Sequence, residues 1–115
     1  MNIIVHRIYD DDVPQGYRVL VDRLWPRGIS KEKADLDGHW KDLAPGNELR
    51  KWFDHDPEKW ADFRKKYMSE LSDHKAVAKE HLEEVDRKNL VLLYGAKDKD
   101  HTHALVLKEY LEKLN

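Results

Sequence analysis

Two clusters of polar and ring-bearing residues fall where core packing does not call for them. The first, Asp22, Arg23, Trp25, Pro26, Arg27 and Gly28, follows directly on the apolar run Val19, Leu20 and Val21. The second, Ala96 through His103, follows the apolar run 90–94 and holds Lys97, Asp98, Lys99, Asp100, His101 and His103. A guanidinium is always charged and offers a rigid fork of donors to carboxylate or phosphate. Two arginines in one turn therefore suit an anionic ligand. The same pattern also suits a purely structural pairing of Asp22 with Arg23 or another arginine. His101 and Asp98 are the candidates for moving a proton, and Trp25 could stack on a ring or simply lid the core. Arg50, and His55 between Asp54 and Asp56, are placed to complete such a site. The candidate ligand-binding set is thus Asp22, Arg23, Trp25, Arg27, Arg50 and His55.

Other chemistries find less support. His101 and His103 form an H-x-H pair, but on a helix residues two apart diverge by about 200°, so no metal site is assigned. There is no G-x-G-x-x-G, Walker loop, H-E-x-x-H or G-x-S-x-G pattern, and no cofactor is expected. The chain has no cysteine, which removes disulfides and thiolate catalysis.

Elements must bring the two clusters together. Ile3, Ile4, Val5 and Ile8 predict a first strand, and the loop 10–16 (DDDVPQG) separates it from a second strand over 17–24. A link this short gives either an antiparallel pair or parallel strands with a reduced connection. Ser30 predicts a cap on a helical turn over 31–34, and 36–43 reads as a further strand. Gly46 or Asn47 starts a helix carrying Leu49, Trp52 and Phe53. Asp56 followed by Pro57 starts a second, with the stripe Trp60, Phe63, Tyr67 and Leu71. Ser72 or Asp73 is the expected cap of a third, with Val77, Ala78, Leu82 and Val85 inward. The unbroken apolar run LVLLY at 90–94, with helix on either side, predicts a central parallel strand covered on both faces. Asp100 is the expected cap of a last helix over 101–114. If the two polar-ended strands are parallel neighbours, their loops face one cleft beyond the carboxyl ends, where such sheets bind ligands.

A chain of 115 residues suits one domain, read as 1–115. The expected fold class is α/β: a mainly parallel sheet of about four strands flanked by helices, three-layered in the Rossmann or flavodoxin-like manner. Charged residues make up 38%, yet the net charge is only −2, so no global basic footprint drives nucleic-acid binding. No apolar run approaches the roughly 18 residues of a membrane span, and the expected setting is cytoplasmic.

The segments RVLVDRLWPRGISKEKADLDGHWKDLAP, ELRKWFDHDPEKWADFRKKYMSEL and LLYGAKDKDHTHALVLKEYL resemble the YeaO-like family of bacterial and archaeal proteins, a branch of a larger group of domains of unknown function. The resemblance implies an α/β domain with a mainly parallel sheet and a cytoplasmic setting. It implies no reaction and carries over no catalytic residue. Gly46 stands where relatives often have serine, and the larger group carries cysteines near Tyr94 and Thr102 that this chain lacks. Two classes of function remain open. One is a small binding domain or enzyme for an anionic, phosphate-bearing molecule. The other is a non-catalytic module for protein or nucleic acid, using Arg64, Lys65 and Lys66 near Tyr67 together with an exposed Trp25.

Overall fold

The computed structural model describes all 115 residues. Four strands, β1 (Asn2–Arg7), β2 (Tyr17–Leu20), β3 (Gly38–His39) and β4 (Asn89–Tyr94), form one sheet in the order β1-β4-β2-β3. Every pairing is parallel. The first two strands therefore never pair with each other. Each lies beside β4, with Ile3 opposite Leu90 on one side and Tyr17 opposite Leu90 on the other. The short 8–16 link steps over the position that β4 later fills. Its end is close-fitted: a Cβ on Gly16, where φ is +152°, would lie 2.6 Å from the Asn89 carbonyl oxygen.

The alternation of β4 explains why its run is apolar throughout. Leu90, Leu92 and Tyr94 face one core with Ile3, Val19 and Val21, whereas Val91 and Leu93 face a second with Ile8 and Leu20. The faces are covered unequally. The first is packed by helices α2 (Asn47–Phe53), α3 (Trp60–Asp73), α4 (Lys75–Glu84) and α5 (His103–Leu114). The second is closed by the single-turn helix α1 (Lys31–Ala34) through Ala34, and by Val13, Ile29 and Leu36. The class is α/β as expected, but the strand order is not the 2-1-3-4-5 of flavodoxin-like sheets, and the layer on the second face is thin.

The predicted stripe of α3 is the spine of the main core. Phe63, Tyr67 and Leu71 are buried, and Phe63 stacks on both Phe53 and Trp60, which meet each other at a tilt. Burying each such side chain is worth about 1.5–3 kcal/mol. Asp56 caps as expected, accepting from the Glu58 N–H at 3.0 Å, and Pro57 opens a 3-10 turn that runs into α3.

Before the last helix, three boundaries differ from expectation. β2 ends at Leu20 rather than residue 24. The ladder goes one step further, Val21 N–H to Leu93 carbonyl, and then the Asp22 carboxylate takes the place of a backbone acceptor. The expected strand over 36–43 pairs only at Gly38–His39, because the chain turns into a 3-10 helix at Lys41–Leu43. α4 has no side-chain cap. Ser72 bonds back to the Met68 carbonyl inside α3, Asp73 is the last residue of that helix, and His74 forms the break.

Candidate functional site

The connection leaving β2 runs to the thin face and α1, whereas the one leaving β4 runs to α5 on the helical face. Adjacent parallel strands whose connections part to opposite faces leave a crevice beyond their carboxyl ends. A cleft of about 600 Å³ opens there, lined by residues that include Asp22, Arg23, Arg50, His55, His101 and His103.

Asp22 is the hinge pin of this cleft. Its Oδ2 accepts from the Gly95 N–H at 2.8 Å, and its Oδ1 lies 3.4 Å from His103 Nε2. The approach depends on Gly95, since a Cβ there would sit 3.1 Å from Asp22 Oδ2. The Asp22 carbonyl accepts from His39 Nε2 at 2.7 Å. Asp22 therefore ties β2, β3 and the loop after β4 together, and it pairs with no arginine. That loop is also held from the end of β1 and the link after it: Arg7 Nε donates to the Ala96 carbonyl at 2.9 Å, and Lys99 meets Asp10 at 2.7 Å.

The start of α5 corrects the expected boundary. Thr102, not Asp100, is the cap, its hydroxyl accepting from the Ala104 N–H, and the helix begins at His103. Asp98 shapes the preceding turn by accepting from the N–H groups of Asp100 and His101, and it holds the His101 ring through Nδ1–H at 2.8 Å. That bond keeps the Asp98 carboxyl below its ordinary range. The edge of Trp60 supports the same ring.

His103 is the residue that sequence reasoning left out of the site. Its Nε2 faces the Val21 carbonyl at 3.0 Å as well as Asp22. Both partners can only accept, so Nε2 carries the proton. Its ring meets Tyr67, whose buried hydroxyl donates to the Leu43 carbonyl at 2.5 Å. Burial pushes the imidazole below its ordinary value, Asp22 and the Val21 bond oppose this, and Arg50 and His55 add to it. Burial likewise lifts the Tyr67 phenol well above its usual range.

The arginines divide cleanly. Arg7, Arg18, Arg64 and Arg87 each meet a carboxylate. Arg23, Arg27 and Arg50 meet none. Arg23 borders both the main cleft and a smaller hollow beside Tyr67 and Glu70, and its Nε is buried without a partner. Arg50 bonds only the Asn47 side chain, at 2.6 Å. Of the candidate residues, Arg27, Trp25 and Asp98 lie off the cleft wall, Asp98 reaching it only through the His101 ring that it holds. The turn at Pro26 carries Arg27 outward, with its carbonyl held by the Tyr9 hydroxyl, and Trp25 Nε1–H bonds the Ile29 carbonyl while its ring edges His39. His55 lines the cleft from a turn in which it and Asp54 both have positive φ, 55° and 47°. Non-glycine residues bear a local cost in that region, and such strain gathers at binding sites.

The basic stretch at 64–66 does not form a patch around Tyr67. Tyr67 is buried, Arg64 pairs with Glu109, and Lys66 lies over the ring of Trp52. No helix is long and apolar enough to cross a membrane.

Fold and site together define an open parallel α/β domain with a polar crevice in the position where such sheets carry ligands. The chain belongs to the family described as the Inactive DUF488-N3 subclade, which it matches over residues 2–115. It is 44% identical over 115 residues to the uncharacterized protein YeaO of Escherichia coli (strain K12), covering 99% of this chain and all of that one. It is 38% identical over 109 residues to the uncharacterized protein Rv3073c of Mycobacterium tuberculosis (strain ATCC 25618 / H37Rv), covering 93% of this chain and 91% of the relative. The YeaO-like resemblance read from the sequence is thereby established. No solved structure matches the chain.

Proposed function

We propose that this chain is a small-molecule binding domain that takes an anionic, phosphate-like group in the cleft between the ends of β2 and β4. One observation carries the reading: the arginines lining the cleft, Arg23 and Arg50, are free of carboxylate partners, whereas four of the other five are paired. An unpaired guanidinium with a buried Nε is costly in the free protein, and an oxyanion supplies the missing acceptor. Lys51 adds a third cation to the wall, and α5 presents its N-terminal end there. Binding without turnover is the favoured mode. The family's description carries the word inactive, which supports that choice.

The test is thermal unfolding of the full chain with inorganic phosphate at constant ionic strength, on the parent and on Arg23→Ala, Arg50→Ala and Arg27→Ala. A ligand in hundredfold excess over its Kd stabilises by about 2.7 kcal/mol. The parent and Arg27→Ala gain stability with phosphate, whereas the two cleft variants lose most of the gain. Equal gains in all four proteins, or none in the parent, would refute the reading.

A further inference from the structure

The cleft's cations are all donors, and beside them His103 presents an acceptor. His103 spends its Nε2–H on Val21 and Asp22, both of which can only accept. Nδ1 bonds no group of the protein, and the ring lines the cleft. The charged and titratable groups around the ring are Asp22 after β2, Arg50 on α2, His55 after α2 and Tyr67 on α3. Burial holds the imidazole below its ordinary 6.5, with Arg50 and His55 adding to it and Asp22 opposing, so the neutral ring with its Nδ1 lone pair predominates at neutral pH. The ring cannot turn over to donate from Nδ1 without breaking its bond to the Val21 carbonyl.

From this geometry we infer that the cleft selects oxyanions that carry their own O–H, with hydrogen phosphate the simplest, over oxyanions of equal charge that carry none. The inference rests on the oxyanion reading above. Arg23 and Arg50 donate to the bare oxygens, and the hydroxyl of hydrogen phosphate donates to His103 Nδ1. Sulfate has the same charge and shape, but it sets an oxygen lone pair against the nitrogen lone pair. A site built to hydrogen-bond one group rejects the analogue that lacks it, because a polar atom covered by the ligand is left unpaired.

The experiment is calorimetric titration of the full chain at neutral pH and constant ionic strength with three probes: inorganic phosphate, sulfate and fluorophosphate. Fluorophosphate keeps the charge and size of hydrogen phosphate but has no hydroxyl. Phosphate is expected to bind roughly ten- to a hundredfold more tightly than either of the others. In His103→Gln the side-chain amide can turn its N–H toward an anion, and the preference is expected to fall to about threefold or less. If that variant fails to fold, the comparison of phosphate with fluorophosphate on the parent decides alone. Equal affinity for all three anions overturns the inference and leaves the oxyanion site standing. A preference that persists unchanged in a folded His103→Gln also overturns it. No binding of any of the three overturns the oxyanion site itself, and the inference with it.

Discussion

Replacing Arg23 with methionine separates the two roles of that side chain. Methionine keeps most of the side chain's aliphatic length and removes the guanidinium whose Nε is buried without a partner. A buried, unsatisfied donor costs about 1–3 kcal/mol. Since the rest of the group reaches the open cleft, the low end applies, and Arg23→Met is expected to stabilise the free protein by about 1 kcal/mol. With a urea m-value of about 1.5 kcal/mol/M for a domain of this size, that raises the unfolding midpoint by about 0.7 M. Phosphate reverses the order. At hundredfold excess over Kd the parent gains about 2.7 kcal/mol, or about 1.8 M in midpoint, whereas the variant gains little. The assay is four urea curves followed by tryptophan fluorescence, each protein with and without phosphate. If Arg23→Met lowers the midpoint without ligand, the guanidinium supports the fold. If phosphate then raises both proteins equally, Arg23 does not bind anions.

Arg50→Ala is expected to weaken phosphate binding about tenfold in calorimetry, the usual range for one charge-assisted bond, while shifting stability by less than about 0.5 kcal/mol, because Arg50 is exposed and bonds only Asn47. Stability should also fall with acid through His103. Its folded imidazole titrates below the ordinary 6.5, so the unfolded chain takes up the proton first. Stability is fully present above 6.5 and is lost as pH drops below it, with a slope of at most about 1.4 kcal/mol per pH unit that levels off below the folded value. Urea midpoints across that window should show this slope flattened in His103→Gln. Tyr67→Phe leaves the Leu43 carbonyl without its donor and should cost about 1–2 kcal/mol by chemical denaturation. Gly16→Ala drives a Cβ to 2.6 Å from the Asn89 carbonyl oxygen and should cost about 2 kcal/mol or more, lowering the melting temperature without altering phosphate affinity.

The parts of the fold legible in the sequence were those with an unambiguous local signal. The run at 90–94 could only be a strand buried on both faces, and Asp56 with Pro57 could only open a helix. The cleft was legible too, because two apolar runs ended in charge. What failed was geometry at the level of single residues. Asp100 and Thr102 are both good caps, and a cap at Asp100 sets the helix start two residues early, at His101 instead of His103. The signal that separates them is Asp98, whose carboxylate shapes a turn through His101 and so delays the helix. Arg27 is close to Arg23 in sequence, but a proline turn lies between them and only Arg23 lines the cleft. The relation of the first two strands was undecidable locally, since the element that separates them lies some seventy residues downstream.

That late-arriving element governs how the chain must fold. β4 supplies the pairing partner of both β1 and β2, and Asn2 reaches Asn89 across nearly the whole chain. During synthesis the only ladder available before residue 89 is the two-residue pairing of β2 with β3. β1 must wait unpaired, and β2 with one edge open, until β4 emerges. Non-local pairing of this kind folds slowly, in the millisecond-to-second range, and leaves strand edges open to wrong partners meanwhile. The cleft beyond β2 and β4 shares that dependence, since one of its walls begins at the end of the last strand to arrive.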